Sequence, residues 1–134
     1  MINFFDLILI NMKSLENRIT FFAAEIISFA KNLPKDRFVI HVEDQLIRAG
    51  LSVPLNWGEA QYSESDKDYV HKVSIVLKEL HEIKVCLKLV IQLGLKKKDD
   101  KTEFLLNENN ELLAIMTTCK NKARLKITTK TNKR

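Results

Sequence analysis

The chain of 134 residues is poor in glycine, proline and cysteine, and each shortage excludes a class of protein. Three glycines and two prolines are too few for a β-sandwich, which needs a turn about every ten residues. Two cysteines cannot form the disulfide framework of a small secreted domain, so we expect a reducing, cytoplasmic location. No apolar run reaches the roughly eighteen residues of a transmembrane helix. The length therefore suits one helix-rich domain.

Signals for catalysis or metal binding are also missing. None of the three histidines (His41, His71 and His81) has another His or Cys three or four residues further on, the spacing of a helical metal site. The cysteines lie on or beside apolar faces, which favours core packing over nucleophilic chemistry. There is no glycine-rich phosphate loop and no Ser/His/Asp motif. We therefore expect a protein that is not an enzyme and uses no metal or cofactor.

Apolar residues recur at helical spacing in the first half of the chain. The first helix is predicted from about residue 13 to residue 32 and is stopped by Pro34. The second begins near Asp36, and its apolar period continues across Gly50 and Pro54. A helical proline clashes with the carbonyl of residue i−4, which here is glycine, so we predict one long helix kinked near Gly50 and Pro54.

Two more helices are predicted in the second half. Ser65 is the expected N-cap of the third, which ends at Gly94. It carries a second apolar line, Val70, Leu77 and Ile91, beside the first. The fourth is expected to start at a Thr102 cap and to fray from Lys120 onward. Short connections then predict an all-α, antiparallel, up-down-up-down four-helix bundle over residues 13–125.

Both ends of the chain differ from the predicted bundle. Residues 1–12 form a mostly apolar extension that lacks the basic start and the cleavage site of a signal peptide. Net charge is +5, but the last fifteen residues contain seven basic residues and no acid. These are Lys120, Lys122, Arg124, Lys126, Lys130, Lys133 and Arg134. This concentration, with residues 126–134 as a basic tail, indicates an anionic partner.

A line of polar residues follows the apolar face of the second helix. It consists of Gln45, Arg48, Ser52, Asn56 and Glu59, and the third helix carries Lys72, Glu79 and Glu82 in a similar position. One interpretation is structural: Arg48 pairs with Glu79 or Glu82 and fixes the helix register, because an unpaired buried charge is costly. The other is functional: the line forms a polar pocket, or an axial channel in an oligomer.

Two segments resemble a known family. QLIRAGLSVPLNWGEA (45–60) and SDKDYVHKVSIVLKELHEI (65–83) are similar to segments of four-helix-bundle proteins encoded in intervening sequences of bacterial large-subunit (23S) rRNA genes. The residues that carry the resemblance are Gln45, Leu46, Arg48, Ser52, Val53, Asn56, Glu59 and Ala60, then Ser65, Asp68, Tyr69, Lys72, Glu79 and Glu82. Trp57 and Cys86 depart from the family pattern. The accessory protein of diversity-generating retroelements looks like a relative.

The resemblance implies a non-catalytic bundle that assembles into a ring, typically a homopentamer. It also implies binding of RNA or DNA, with a reverse transcriptase or a ribosomal component as further partners. Two hypotheses therefore stay open: a nucleic-acid-binding oligomer, or a protein-interaction scaffold whose basic tail serves solubility or a protein partner. The tail has an alternative role too, since it can fold back on the acidic connection bearing Glu59, Glu64, Asp66 and Asp68.

Overall fold

A computed structural model describes residues 14–132, and all regular structure in this range is helical. The predicted extension at residues 1–12 lies outside the described residues, as do Lys133 and Arg134. Four helices follow in order: α1 (Leu15–Lys31), α2 (Arg37–Gln61), α3 (Asp66–Gln92) and α4 (Asp100–Asn132). The prediction of an all-α four-helix bundle is confirmed.

Short polar side chains set the helix starts. The Ser14 hydroxyl accepts a hydrogen bond from Asn17 N at the start of α1, and Ser65 accepts one from Asp68 N at the start of α3. The predicted Thr102 cap of α4 is wrong. Asp99 takes that role because its carboxylate accepts from Thr102 N at 2.9 Å, and the Thr102 side chain is buried behind it.

The helices pack in a closed cycle, each against its sequence neighbours and α1 against α4. The ion pair of Glu59 with Lys72 fits antiparallel neighbours, since it joins the late part of α2 to the early part of α3. One continuous core fills the bundle and includes Phe22, Leu46, Leu80 and Leu112, none of which is measurably exposed. The C-terminal ends of α2 and α4 therefore lie at the same end of the bundle, beside the start of α3.

Helix α2 is continuous across Gly50 and Pro54, as the apolar period predicts. A kink there remains a prediction. Gly50 has a second role that the sequence does not reveal: a Cβ at this position would lie 3.1 Å from Ile26 Cγ2 of α1. Glycine therefore permits the close approach of α1 and α2 as well as easing the proline into the helix.

Helix α4 does not fray at Lys120, and that prediction is wrong. It runs to Asn132, with Ala123 and the half-buried Ile127 extending its apolar seam. The segment contains no glycine or proline, and lysines near a helix C-terminus interact favourably with the helix dipole. The basic segment is therefore helical and not an irregular tail.

Within residues 14–132, no helix combines the length and the apolar character needed to cross a membrane.

Candidate nucleic-acid interface

The basic residues of the chain's last fifteen positions lie mainly on an exposed helix. We call residues 120–134 the α4 basic end. Lys122, Arg124, Lys126 and Lys130 are exposed, and Lys120 is half-buried. Ala123 is the last buried residue of α4, so nine described residues extend past it, about 13 Å of helix. Lys122, Lys126 and Lys130 are spaced four residues apart and therefore share one face of this helix, where they can contact phosphates.

One contact joins the α4 basic end to the acidic connection between α2 and α3. Lys130 Nζ lies 2.7 Å from Asp66 Oδ2. The ion pair with Lys130, with a further contribution from Lys126, lowers the pKa of Asp66. The segment therefore reaches this acidic end as a continuing helix and does not fold back as a tail. Lys122, Arg124 and Lys126 make no ion pair with any residue of the described range.

The opposite end of the bundle also carries lysines, but more of them are balanced by acids. Lys35 Nζ lies 3.6 Å from Glu43 Oε2, and Lys101 Nζ lies 3.6 Å from Glu25 Oε2. This end carries the acids Asp36, Asp99, Asp100 and Glu103 together with seven basic residues, which are Lys31, Lys35, Arg37, Lys96, Lys97, Lys98 and Lys101. It is therefore the weaker candidate for binding a polyanion.

The structure pairs the charged members of the polar line. Arg48 Nη1 lies 3.1 Å from Glu79 Oε2, and the Arg48 guanidinium also contacts Glu82 and donates to Gln45 Oε1 at 3.1 Å. The hydrogen bonds that Arg48 donates to Glu79, and next to Glu82, raise the pKa of Arg48. The Glu79 side chain is buried while that of Arg48 is half exposed, so the pair is only partly desolvated. The arrangement is that of an inter-helical clasp.

The remaining members of the line form local contacts. Asn56 Nδ2 donates to Ser52 O at 2.9 Å and to Ser52 Oγ at 2.8 Å within α2. Lys72 Nζ donates to Glu59 Oε2 at 2.8 Å between α2 and α3. Ordinary intramolecular contacts thus account for all eight polar residues predicted along the two helices, and none needs a ligand as its partner.

A second clasp, between α1 and α4, was not predicted from the sequence. Arg18 Nε lies 2.9 Å from Glu108 Oε2 and Arg18 Nη2 lies 2.6 Å from Glu108 Oε1, while the same Nη2 contacts Glu111. The Glu108 side chain is fully buried. The hydrogen bond to Glu108 is the main cause that raises the pKa of Arg18. The sequence contained a signal, because five polar residues (107–111) lie between Leu105 and Leu112 and occupy positions where the helical period calls for apolar ones.

Asn109 fills the other polar position in that gap. It is completely buried, and its Nδ2 donates to the carbonyl oxygen of Leu80 at 3.0 Å. Its Oδ1 has no hydrogen-bond partner in the described part of the chain. Glu108 and Asn109 of α4 together place polar groups inside the core of the bundle. Their contacts with Arg18 and Leu80 help to fix the register of α4 against α1 and α3.

The residues that depart from the family pattern pack into the bundle. Trp57 meets Tyr69 edge-to-face, with ring centroids 6.4 Å apart, and so joins the end of α2 to the start of α3. Burial, followed by the neighbouring Cys119, raises the pKa of Tyr69 to about 12. Burial also raises the pKa of the Cys86 thiol. Both cysteines are free and half-buried, which fits a packing role.

Comparison with family models assigns the chain to a protein family. A model described as 23S rRNA-intervening sequence protein matches residues 16–118. The chain belongs to this family. The match ends before Lys120, so the α4 basic end lies beyond the part that defines the family. Among curated proteins, no sequence matches the chain.

A solved structure shares the fold of this family member. It is the crystal structure of a protein of unknown function from the S23 ribosomal protein family of Bacteroides thetaiotaomicron. The two chains are 23% identical, with a TM-score of 0.69. The similarity covers 80% of this chain and 98% of the other. It establishes the bundle architecture.

Proposed function

We propose that the protein is a non-enzymatic, ring-like homo-oligomer that binds RNA or DNA without sequence specificity, through the α4 basic end. The observation that carries this proposal is the group of exposed and largely unpaired cations on α4. Contacts of lysine and arginine with phosphates supply most of the affinity of non-specific nucleic-acid binding. A cytoplasmic location is part of the proposal, as are a reverse transcriptase or a ribosomal component as further partners.

Exposed apolar residues support self-association. One stripe is formed by Leu51 and Leu55 of α2 with Tyr62 at its C-cap, and the other by Val85 and Leu89 of α3 with Leu93 at its C-cap. Each of these residues is between 44% and 88% exposed. Two different apolar stripes on one monomer suit a heterologous contact, in which one stripe meets the other on a second copy. Such contacts close into rings when the rotation between copies permits it.

The second apolar line predicted on the third helix is not the surface left for another copy. The second apolar line of α3, made of Val70, Leu77 and Ile91, is half-buried within the monomer. Leu77 packs against the core. The apolar surface left for another copy is therefore the pair of stripes on α2 and α3, and a pentamer remains the assembly that the resemblance implies.

A ring would strengthen weak binding. Each subunit would contribute one α4 basic end, and several such ends on one assembly would bind a single nucleic acid with avidity. Binding should be strongly salt-dependent, with about −0.7 in log–log slope for each phosphate neutralised on a single strand and about −0.9 on duplex DNA.

The test of nucleic-acid binding compares two variants with equal loss of charge. One replaces Lys122, Arg124 and Lys126 by glutamine, and its matched control replaces Lys96, Lys97 and Lys98 at the opposite end. Fluorescence anisotropy with a labelled RNA of about 30 nucleotides measures affinity across a salt series. We expect the first variant to lose most of its affinity and salt slope and the control to lose little. Equal losses would contradict the assignment to α4.

The alternative function is a protein-interaction scaffold, and the exposed apolar stripes favour it as specifically as they favour a ring. Light scattering at micromolar concentration separates the two, combined with Leu55→Glu in the α2 stripe. A ring predicts an assembly much heavier than 15.5 kDa that Leu55→Glu dissociates. A stable wild-type monomer that fails to bind RNA at low salt would favour the scaffold.

A further inference from the structure

The ion pair between Lys130 and Asp66 lies where the α4 basic end passes the start of α3. A cleft of about 300 Å³ opens between the two helices at this point. It is lined by Ser65, Asp66, Lys67, Ile127, Lys130 and Thr131. Within residues 14–132, Lys130 differs from Lys122, Arg124 and Lys126 because it forms an ion pair. An acidic group is thus placed directly against the surface that is proposed to bind phosphate.

Asp66 is not needed to cap α3. Ser65 performs that task, because its hydroxyl accepts from Asp68 N at 3.0 Å. Asp66 lies in the first turn, where a carboxylate gains a modest benefit from the helix dipole. Its side chain is partly exposed and that of Lys130 is mostly exposed, so water and mobile ions reach the pair and it can open at little cost.

We propose that Asp66 competes with nucleic-acid phosphate for Lys130, so that binding exchanges an internal carboxylate for a phosphate oxygen. The inference rests on the proposed function, and it adds a device that sets the affinity of the same surface. Both anions offer oxygen atoms to the ammonium group, and the nearby Lys126 would favour either of them. A ligand must then supply enough charge density to displace the carboxylate, which disfavours weakly charged polyanions.

A purely structural role for the pair predicts the opposite result. If Asp66 serves only to hold the end of α4 in place, its loss should loosen that helix and weaken binding. If Asp66 competes with phosphate, its loss should free Lys130 and strengthen binding. The sign of the effect therefore separates the two roles.

The test is Asp66→Asn in the full chain, with Glu64→Gln as the matched control. Glu64 is exposed on the same connection, two residues away, and makes no ion pair in the described range. Binding to a labelled single-stranded RNA is measured across a salt series. We expect Asp66→Asn to raise affinity by about two- to fivefold, the range open to an exposed pair. Its salt slope should steepen by about 0.7 for each newly contacted phosphate. Glu64→Gln should raise affinity clearly less.

Equal gains in both variants would show a general charge effect and would overturn the competition. Weaker or unchanged binding by Asp66→Asn, with wild-type binding intact, would overturn it too and leave the proposed function standing. The double variant Asp66→Asn with Lys130→Gln gives an independent check, because competition requires it to lose the gain. If neither wild type nor Asp66→Asn binds RNA at low salt, the proposed function fails and the competition falls with it. Thermal melting confirms that each variant is folded.

Discussion

Replacing Arg18 by methionine should destabilise the bundle strongly, because it leaves a carboxylate buried without its counter-charge. The Glu108 side chain is fully buried, and two nitrogens of the Arg18 guanidinium lie within 3.0 Å of its oxygens. Removing one partner of a buried pair costs about 3–5 kcal/mol. The Arg18 side chain is 24% exposed, so some water can reach Glu108 in the variant. We therefore expect about 3 kcal/mol, at the lower end of that range.

Thermal unfolding followed by circular dichroism measures this effect. For a chain of 134 residues, a loss of about 3 kcal/mol corresponds to a fall in Tm of about 10 °C. Protein concentration must be held constant, because self-association would itself raise Tm. The matched control is Glu111→Gln, which removes the exposed carboxylate on the same guanidinium and should cost less than about 0.5 kcal/mol.

A double variant makes the reasoning refutable. Arg18→Met combined with Glu108→Leu replaces the clasp by apolar side chains and should recover most of the lost stability, since the stranded charge is gone. If the double variant is as unstable as Arg18→Met alone, the loss comes from packing and the electrostatic account is wrong. If Arg18→Met and Glu111→Gln have the same Tm, the clasp contributes nothing beyond a surface ion pair.

Three further changes test other parts of the fold. Arg48→Ala should lower the free energy of unfolding in urea by about 1–2 kcal/mol, because Glu79 loses its partner but water reaches the half-exposed site. Unchanged stability together with lost RNA binding would instead make the polar line on α2 a functional groove. Asp99→Ala should cost about 1 kcal/mol at pH 7 through loss of the α4 cap. Hydrogen bonds with Thr102 lower the pKa of Asp99 in the folded chain. The stability difference between wild type and Asp99→Ala should therefore shrink as the pH falls below about 3.9, the ordinary pKa of aspartate, and vanish below the pKa of Asp99 in the folded chain. A stability difference that persists at that low pH would refute the cap. Gly50→Val should lower stability by about 1–3 kcal/mol by forcing α1 and α2 apart at Ile26, and an unchanged Tm would show that the helices yield freely.

The sequence predicts the helices better than it predicts their polar contacts. Apolar period and capping residues place α1, α2 and α3 to within a residue or two, because core burial and N-caps depend on local spacing. The end of α4 differs from the predicted fraying tail, since charge and polarity alone do not show that Ile127 is half-buried on a continuing helix. The pairing of Arg48 with Glu79 follows from the register of adjacent helices, which short loops nearly fix.

The clasp of Arg18 with Glu108 could not be predicted in the same way. It joins residues 90 positions apart on helices from opposite ends of the chain, and their relative height depends on the whole packed bundle. The pair of Lys130 and Asp66 depends in turn on α4 remaining helical past Ala123. Interactions of this kind become visible only when the tertiary arrangement is known.

The central claim is that the α4 basic end makes this protein bind nucleic acid electrostatically. The most direct measurement is the binding of the intact wild-type chain to a labelled single-stranded RNA from about 20 to about 300 mM salt. The account predicts binding at low salt with a log–log slope of about −2 or steeper, as expected for three or more phosphate contacts. No binding at about 20 mM salt, or an affinity that does not change with salt, would contradict it.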